Sequence, residues 1–244
     1  MIEIKNLKKK FDTNSVLNGV NLNINDGETL VIIGSSGCGK SVLLKHIIGL
    51  IRPDSGEVIF EGKNIFDLTE KELYSIRENF GFLFQGSALF DSMNVEENVG
   101  LALKENRNLP PKKIKEIVDE KLELVGLPGT NKMKPSDLSG GMKKRVSLAR
   151  SLSTNPKYIL YDEPTTGLDP VMSDAIDELI KELAIKLKVT SVVVTHDIFS
   201  VHEVADRVAM MDEGIIHFQG TPRELFNSND KIIADFLHRT KSRT

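Results

Sequence analysis

The chain has 244 residues, with 32 Lys and Arg against 35 Asp and Glu, a net charge of −3. That is enough for one large α/β unit with a real core, and the charge balance argues against a nucleic-acid-binding surface. No run of roughly 18 apolar residues exists to span a bilayer, and Met1-Ile2-Glu3-Ile4-Lys5 lacks the apolar stretch of a secretory signal, so the reading is of a soluble cytoplasmic protein.

Residues 2–33 read as strands joined by turns. Val20, Leu22 and Ile24 alternate with asparagines, the pattern of a half-buried strand, and Asp26-Gly27 turns the chain into Thr29-Leu30-Val31-Ile32-Ile33, a buried strand. Gly34-Ser35-Ser36-Gly37-Cys38-Gly39-Lys40-Ser41 follows and fits G-x-x-x-x-G-K-[ST], the phosphate-binding P-loop. Residues 42–48 read as its helix, with Gly49 as the C-cap. Glycines let such a loop aim N–H groups at phosphate oxygens, and the helix N-terminus adds its dipole. Lys40 is placed to reach the β- and γ-phosphates and Ser41 to bind Mg²⁺. Strand, complete motif and helix together outweigh a merely structural glycine turn, so the chain binds a nucleoside triphosphate. Cys38, the single cysteine, excludes an internal disulfide and reads as a small loop residue.

Farther on, Pro53-Asp54-Ser55-Gly56 is a turn, residues 57–61 a short strand, and Thr69-Glu70-Lys71-Glu72 a capping box. Residues 80–84 read as a buried strand ending at Gln85. From Gly86 to about Ser153 the pattern turns helical, most clearly over Pro111 to Val125 and after Leu138-Ser139-Gly140-Gly141, which predicts a helical subdomain inserted into the α/β unit. Tyr158 to Glu163 is an apolar strand ending in two acids. Asp169-Pro170 opens a long amphipathic helix, Ser191 to Thr195 is a parallel-type strand ending at His196, and residues 208–219 form a hairpin around Glu213-Gly214. Thr221-Pro222-Arg223-Glu224 caps a final helix, and residues 241–244 are expected to fray.

Alternating strands and helices around a P-loop imply a largely parallel sheet, whose ligands gather beyond the carboxyl ends of the strands. Gln85, Asp162, Glu163 and His196 all sit at such ends. Asp162 fits the Walker-B role of holding Mg²⁺, and Glu163 then orients or deprotonates a water. His196 taken alone is a satisfied strand-end histidine; beside a P-loop and an Asp-Glu pair it becomes a γ-phosphate contact. Ser139-Gly140-Gly141 opening a helix makes either an ordinary cap or a second anion site. Because one P-loop already serves one triphosphate, the second reading has two chains sandwich each nucleotide. Phe11, in a polar stretch, is a strand-edge residue or a platform for a base, and the residues alone favour neither.

In this order the motifs resemble those of the ATP-binding-cassette (ABC) ATPases over essentially the whole chain. The resemblance makes Gln85 the Q-loop, Leu138-Ser139-Gly140-Gly141 the signature, Gly167-Leu168-Asp169 the D-loop, His196 the H-loop and Phe11 the aromatic that stacks on adenine. It implies a single nucleotide-binding domain over residues 1–244: a P-loop NTPase core with a largely parallel sheet, an N-terminal antiparallel β subdomain, a helical subdomain at about 86–153 and a helical tail at about 221–244. Implied cofactors are ATP and Mg²⁺, the latter on Ser41, Gln85 and Asp162; implied catalytic residues are Glu163, His196, Lys40 and Gln85. The chain departs from the family at Met142, where Gln is usual. Phe84 to Val95 and Gly140 to Arg145 resemble, more narrowly, the ATPases of Mla-type (MCE-associated) phospholipid transporters. That implies a homodimer on the inner face of the cytoplasmic membrane, an integral membrane permease and an MCE-type lipid-binding protein as partners, and no nucleic acid. An importer of amino acids or metal ions, or a soluble non-transport ABC ATPase, are the alternatives. Leu89, Phe90, Met93 and Val95, close behind Gln85, are expected to form a groove for a partner helix, with Val95 assigned to the core.

Overall fold

The computed structural model describes residues 1–106 and 109–241. Strands β1 (Ile2–Phe11), β2 (Asn14–Ile24) and β3 (Thr29–Gly34) lead into helix α1 (Lys40–Ile47). Next come β4 (Ser55–Phe60), β5 (Lys63–Asn64), α2 (Glu70–Arg77) and β6 (Phe80–Leu83). Three helices follow, α3 (Val95–Asn106), α4 (Pro111–Leu124) and α5 (Gly140–Leu152). Then β7 (Tyr158–Asp162), α6 (Pro170–Leu187), β8 (Thr190–Val194), α7 (Ile198–Val204), β9 (Arg207–Asp212) and β10 (Ile215–Gly220) complete the core. Helices α8 (Pro222–Phe226) and α9 (Lys231–Lys241) close the described chain.

The unbroken apolar runs of β3, β7 and β8 have one cause: both faces of their sheet are covered. That sheet has the order β10-β9-β3-β8-β7-β6 and is parallel except at the β9–β10 hairpin. Along β3, Leu30 and Ile32 face a core shared with α1 and the antiparallel sheet, while Val31 and Ile33 face a second core built with α4, α5, α6 and α7. The antiparallel sheet has the order β2-β1-β4-β5, so two strands beyond α1 return to complete it. Its inward residues alternate over the second half of β2, where Val20, Leu22 and Ile24 are buried with asparagines between them; Leu17, also buried, lies across a register shift.

Local chemistry explains most element ends. Pro170 stands at the first position of α6 with the Asp169 carboxylate accepting from Met172 N–H at 3.0 Å. Glu213 and Gly214 both lie at positive φ, 45° and 77°, as a tight hairpin turn requires.

Three places depart from the expectations. The helical stretch begins at Val95, not Gly86, where Asn94 and Glu97 cap each other's N–H groups at 2.8 and 2.9 Å. The short α7 follows His196, capped by Asp197 accepting from Phe199 N–H at 2.8 Å. The Thr221 box caps α8, and the last helix is the separate α9, whose start is held by the Asp230 carboxylate on the Ile232 and Ile233 N–H groups. Residues 242–244, in the stretch expected to fray, lie outside the described residues.

Candidate active site

The strand order β3-β8-β7 decides which residues meet. Parallel register pairs Ile32 with Val194 and Val194 with Asp162, so three strands end at one level. Thr195 N–H donates to Ile32 C=O at 3.1 Å and Glu163 N–H to Val194 C=O at 2.9 Å, which carries the alignment past the strand ends. The loop before α1, the Asp162-Glu163 pair and His196 therefore emerge side by side.

The loop holds its shape through glycine. Gly37 and Gly39 lie at φ 83° and 106°, and a Cβ on Gly34 would stand 2.4 Å from the Met211 carbonyl oxygen. Gly39 is the N-cap of α1 and supplies no side chain to the helix's first N–H groups, and no acid lies in the first turn. Those N–H groups, with the dipole behind them, can take an anion. Lys40 is buried, and its ammonium donates to the Gly34 and Ser35 carbonyls at 2.8 and 3.1 Å. Burial pushes the Cys38 thiol above its ordinary pKa, in keeping with a small packing residue.

Ser41 Oγ donates to Asp162 Oδ1 at 2.6 Å. A hydroxyl and a carboxylate at that distance are an oxygen donor set suited to a hard divalent cation. Glu163 is 8% exposed and sits at the meeting point of the cluster. Its Oε2 accepts from Thr166 Oγ at 3.0 Å and lies 2.7 Å from His196 Nδ1, while Oε1 is 3.8 Å from Lys40 Nζ. Its backbone is left-handed, φ 50°, a conformation that costs a non-glycine residue about 1–3 kcal/mol and must be held by its surroundings. The structure thus brings Lys40, Ser41, Asp162, Glu163 and His196 together.

Other expected site residues stand apart within this chain. The Gln85 side chain is exposed, two residues beyond β6, and makes no hydrogen bond to the cluster among the described residues. Ser139 and Gly140 are exposed, and Ser139 Oγ accepts from Met142 N–H at 3.3 Å, so within one chain this segment is the cap of α5. Phe11 is 43% exposed at the end of β1, with Lys9 Nζ 5.5 Å from its ring centre. Sequence reasoning missed Thr166 and Lys144. Lys144 is buried and donates to the carbonyls of Gln85 and Glu163. Thr166, three residues after Glu163, gave a faint signal, and Lys144 gave none because its partners are main-chain atoms.

Beside the β6 end a groove of about 450 Å³ is lined by Phe82, Phe84, Phe90 and Leu101, with Glu105 and Arg150 at its polar side. Phe90 is 49% exposed there, whereas Val95 is fully buried and Leu89 packs against the core.

The model of the ABC transporter family matches residues 17–166. The chain is 40% identical over 237 residues to the intermembrane phospholipid transport system ATP-binding protein MlaF of Haemophilus influenzae, covering 97% of this chain and 90% of that one. It is 41% identical over 237 residues to the probable ribonucleotide transport ATP-binding protein mkl of Mycobacterium leprae, covering 97% of this chain and 68% of the relative. Among solved structures, the dimeric post-hydrolysis state of the ATP-binding cassette MJ0796 bound to ADP and Pi superposes with a TM-score of 0.83 at 35% identity, covering 91% of this chain and 99% of that one.

Proposed function

The chain belongs to the ABC transporter family, and we propose that, as its ATP-hydrolysing subunit, it drives phospholipid movement through a membrane permease. What carries the phospholipid assignment is two-way coverage: the phospholipid-transport relative is spanned over 90% of its length, the mycobacterial one over 68%. The Phe84–Val95 segment, which resembles the same group, supports it. Among the described residues no helix is long and apolar enough to cross a membrane, and the half-exposed Phe90 groove is where a permease helix would seat.

The roles follow from the geometry. The bare N–H groups of α1 and the Lys40 ammonium take the β- and γ-phosphates, and Phe11 offers its open ring face to adenine. Ser41 and Asp162 would hold Mg²⁺, with the Gln85 side chain as a further ligand, and the ion would supply charge neutralisation at the phosphates. Glu163 accepts a proton from the attacking water, and Thr166 and His196 hold its carboxylate in place. His196 also faces the γ-phosphate. Ser139, Gly140 and Gly141 make no hydrogen bond to their own P-loop among the described residues; they serve the nucleotide of a second copy, and two chains close over two ATP molecules. Full contact with ATP exists only in the closed pair, so binding shifts the population toward it and hydrolysis releases it.

The test is to purify the protein from membranes with its bound partners and identify the lipid they carry. The proposal expects a permease, an MCE-type protein and bound phospholipid, with ATP hydrolysis stimulated by that lipid. A permease recovered with a solute-binding protein and no lipid would replace phospholipid with a small solute.

A further inference from the structure

One face of α5 is devoted to the loop that follows β6. Lys144, Ser147 and Arg150, each one turn apart, all donate to main-chain carbonyls of that loop. Ser147 Oγ reaches Ser87 C=O at 2.8 Å, and the Arg150 guanidinium reaches Ser87 and Ala88 C=O at 3.0 and 2.7 Å. Ser87 and Ala88 themselves lie at positive φ, 62° and 48°, so this loop conformation needs outside support. Lys144 differs from the other two. Its ammonium donates to Gln85 C=O and also to Glu163 C=O, the latter at 3.4 Å.

A lysine 5% exposed is costly to keep charged, and burial does push its amino group below the ordinary range, while the nearby Asp162 and Glu163 charges oppose that. An apolar side chain would fill the space at lower cost, but it would take the Lys144 donor from the Gln85 carbonyl and leave the Glu163 carbonyl only the long bond from Thr166 N–H. Among the described residues the Glu163 carbonyl has one other hydrogen bond, from Thr166 N–H at 3.3 Å. The next residue, Pro164, has no N–H with which to steady the peptide. The left-handed backbone that aims the Glu163 carboxylate is thus held by Lys144 from one side and by Val194 from the other.

We propose that Lys144 is the positioning residue for Glu163: its ammonium ties the Glu163 peptide to the Gln85 peptide, so the carboxylate is aimed only when the loop after β6 is seated. This rests on the reading of Glu163 as the water-orienting base. It also gives that loop, which runs into the Phe90 groove, a direct mechanical route to the reacting end of the site. Seating of a partner on the groove reaches Glu163 through one side chain.

The experiment compares ATP hydrolysis by wild type, Lys144→Met, Lys144→Arg, Glu163→Gln and the double variant Lys144→Met/Glu163→Gln, with thermal midpoint and affinity for a fluorescent ATP analogue measured on each. Misaiming a catalytic group costs rate, not nucleotide affinity. Lys144→Met lowers kcat at least about tenfold and leaves KM for ATP within about twofold, because Lys144 does not touch the P-loop. Lys144→Arg, which keeps the donors, recovers most of that loss. In the Glu163→Gln background, adding Lys144→Met changes the single-turnover rate by less than about twofold, since there is no base left to aim. Should Lys144→Met lack a cooperative unfolding transition, Lys144→Ala, which also removes the donor but leaves space in place of the long side chain, carries the same comparison. The proposal is overturned by a Lys144→Met kcat close to wild type, by a fall in kcat matched by a rise in KM, or by independent, additive losses in the double variant. If Glu163→Gln itself hydrolyses ATP normally, the role given to Glu163 fails; if Glu163→Gln is inactive and Lys144→Met is normal, the role of Lys144 fails.

Discussion

Phe90→Asp is expected to detach the protein from its permease and leave a folded ATPase. The backbone at this position is clamped from below: Phe90 N–H donates to the Asn98 carboxamide oxygen at 2.8 Å, and Asn98 Nδ2 donates to Phe90, Met93 and Asn94 C=O at 3.1, 3.3 and 3.0 Å. Asn98 is fully buried, so the loop keeps its course whatever side chain stands at 90. The Phe90 ring is 49% exposed in the isolated chain, so a docking helix buries roughly the other half. Full burial of a Phe is worth about 1.5–3 kcal/mol, so the ring contributes on the order of 1 kcal/mol to docking. A carboxylate in its place is desolvated beside Glu105, while the Arg150 guanidinium on the same side is engaged by the Ser87 and Ala88 carbonyls, and this burial adds about 1–3 kcal/mol against binding. The sum, about 2–4 kcal/mol, weakens the complex roughly 30- to 1,000-fold. The assay is copurification with the detergent-solubilised permease, with the melting temperature and ATPase rate of the isolated subunit measured in parallel. Wild-type recovery of the complex refutes the groove as a docking site, and an unfolded variant moves Phe90 into the core.

Three further outcomes follow from the geometry. Phe11→Ala raises the KM for ATP by an amount consistent with losing roughly 1 kcal/mol of ring stacking; an unchanged KM makes Phe11 an ordinary strand-edge residue. Ser139→Arg and Lys40→Ala chains are each inactive as homodimers, but their mixture regains part of the activity, because a heterodimer holds one intact composite site and one doubly damaged one; equal activity of variants, mixture and wild type removes the signature assignment. Asp177, buried between α6 and α7, has one oxygen accepting from Ser200 Oγ at 2.7 Å and the other without a partner among the described residues. Burial raises its pKa from the ordinary 3.8 to about 7, with the negative charges of Asp197, Asp174 and Glu203 adding to it. The folded state therefore keeps a proton that the unfolded chain releases near pH 4, and stability falls as pH rises from about 4 to about 7. The full gap is on the order of 4 kcal/mol at about 1.4 kcal/mol per pH unit. Asp177→Asn keeps the acceptor for Ser200 and removes the titration, so its melting temperature exceeds wild type at pH 8 by more than at pH 5. An identical difference at the two pH values contradicts a buried, raised carboxyl.

Much of this architecture is legible in the residues because its signals are local. The P-loop, the strands that end in Asp162-Glu163 and His196, and the Thr69 and Asp169 caps each declare themselves within a few positions. That Lys40, Ser41, Asp162, Glu163 and His196 converge follows from one further rule, that parallel strands deliver their carboxyl ends to a common edge. What stayed hidden depends on longer reach. The Asn94/Glu97 cap went unread because the preceding apolar residues masked the helix start. The Thr221 box was legible as a cap, but the break between α8 and α9 depends on Asp230 capping a second start. The face of α5 that holds Gln85, Ser87 and Ala88 is invisible in sequence, since carbonyl acceptors carry no residue signature.

The central claim is that the cluster around Glu163 hydrolyses ATP gripped between two chains, and Glu163→Gln tests it most directly. The substitution keeps the shape of a side chain that Thr166 and His196 hold at 3.0 and 2.7 Å, and removes its capacity to take a proton. ATP affinity and steady-state hydrolysis are measured together with the size of the complex formed in ATP. The account predicts affinity within about threefold of wild type, a rate lowered by roughly 10²–10⁴, and a dimer that persists in ATP because its release step is gone. Hydrolysis within about tenfold of wild type, or a protein that stays monomeric in ATP, contradicts it.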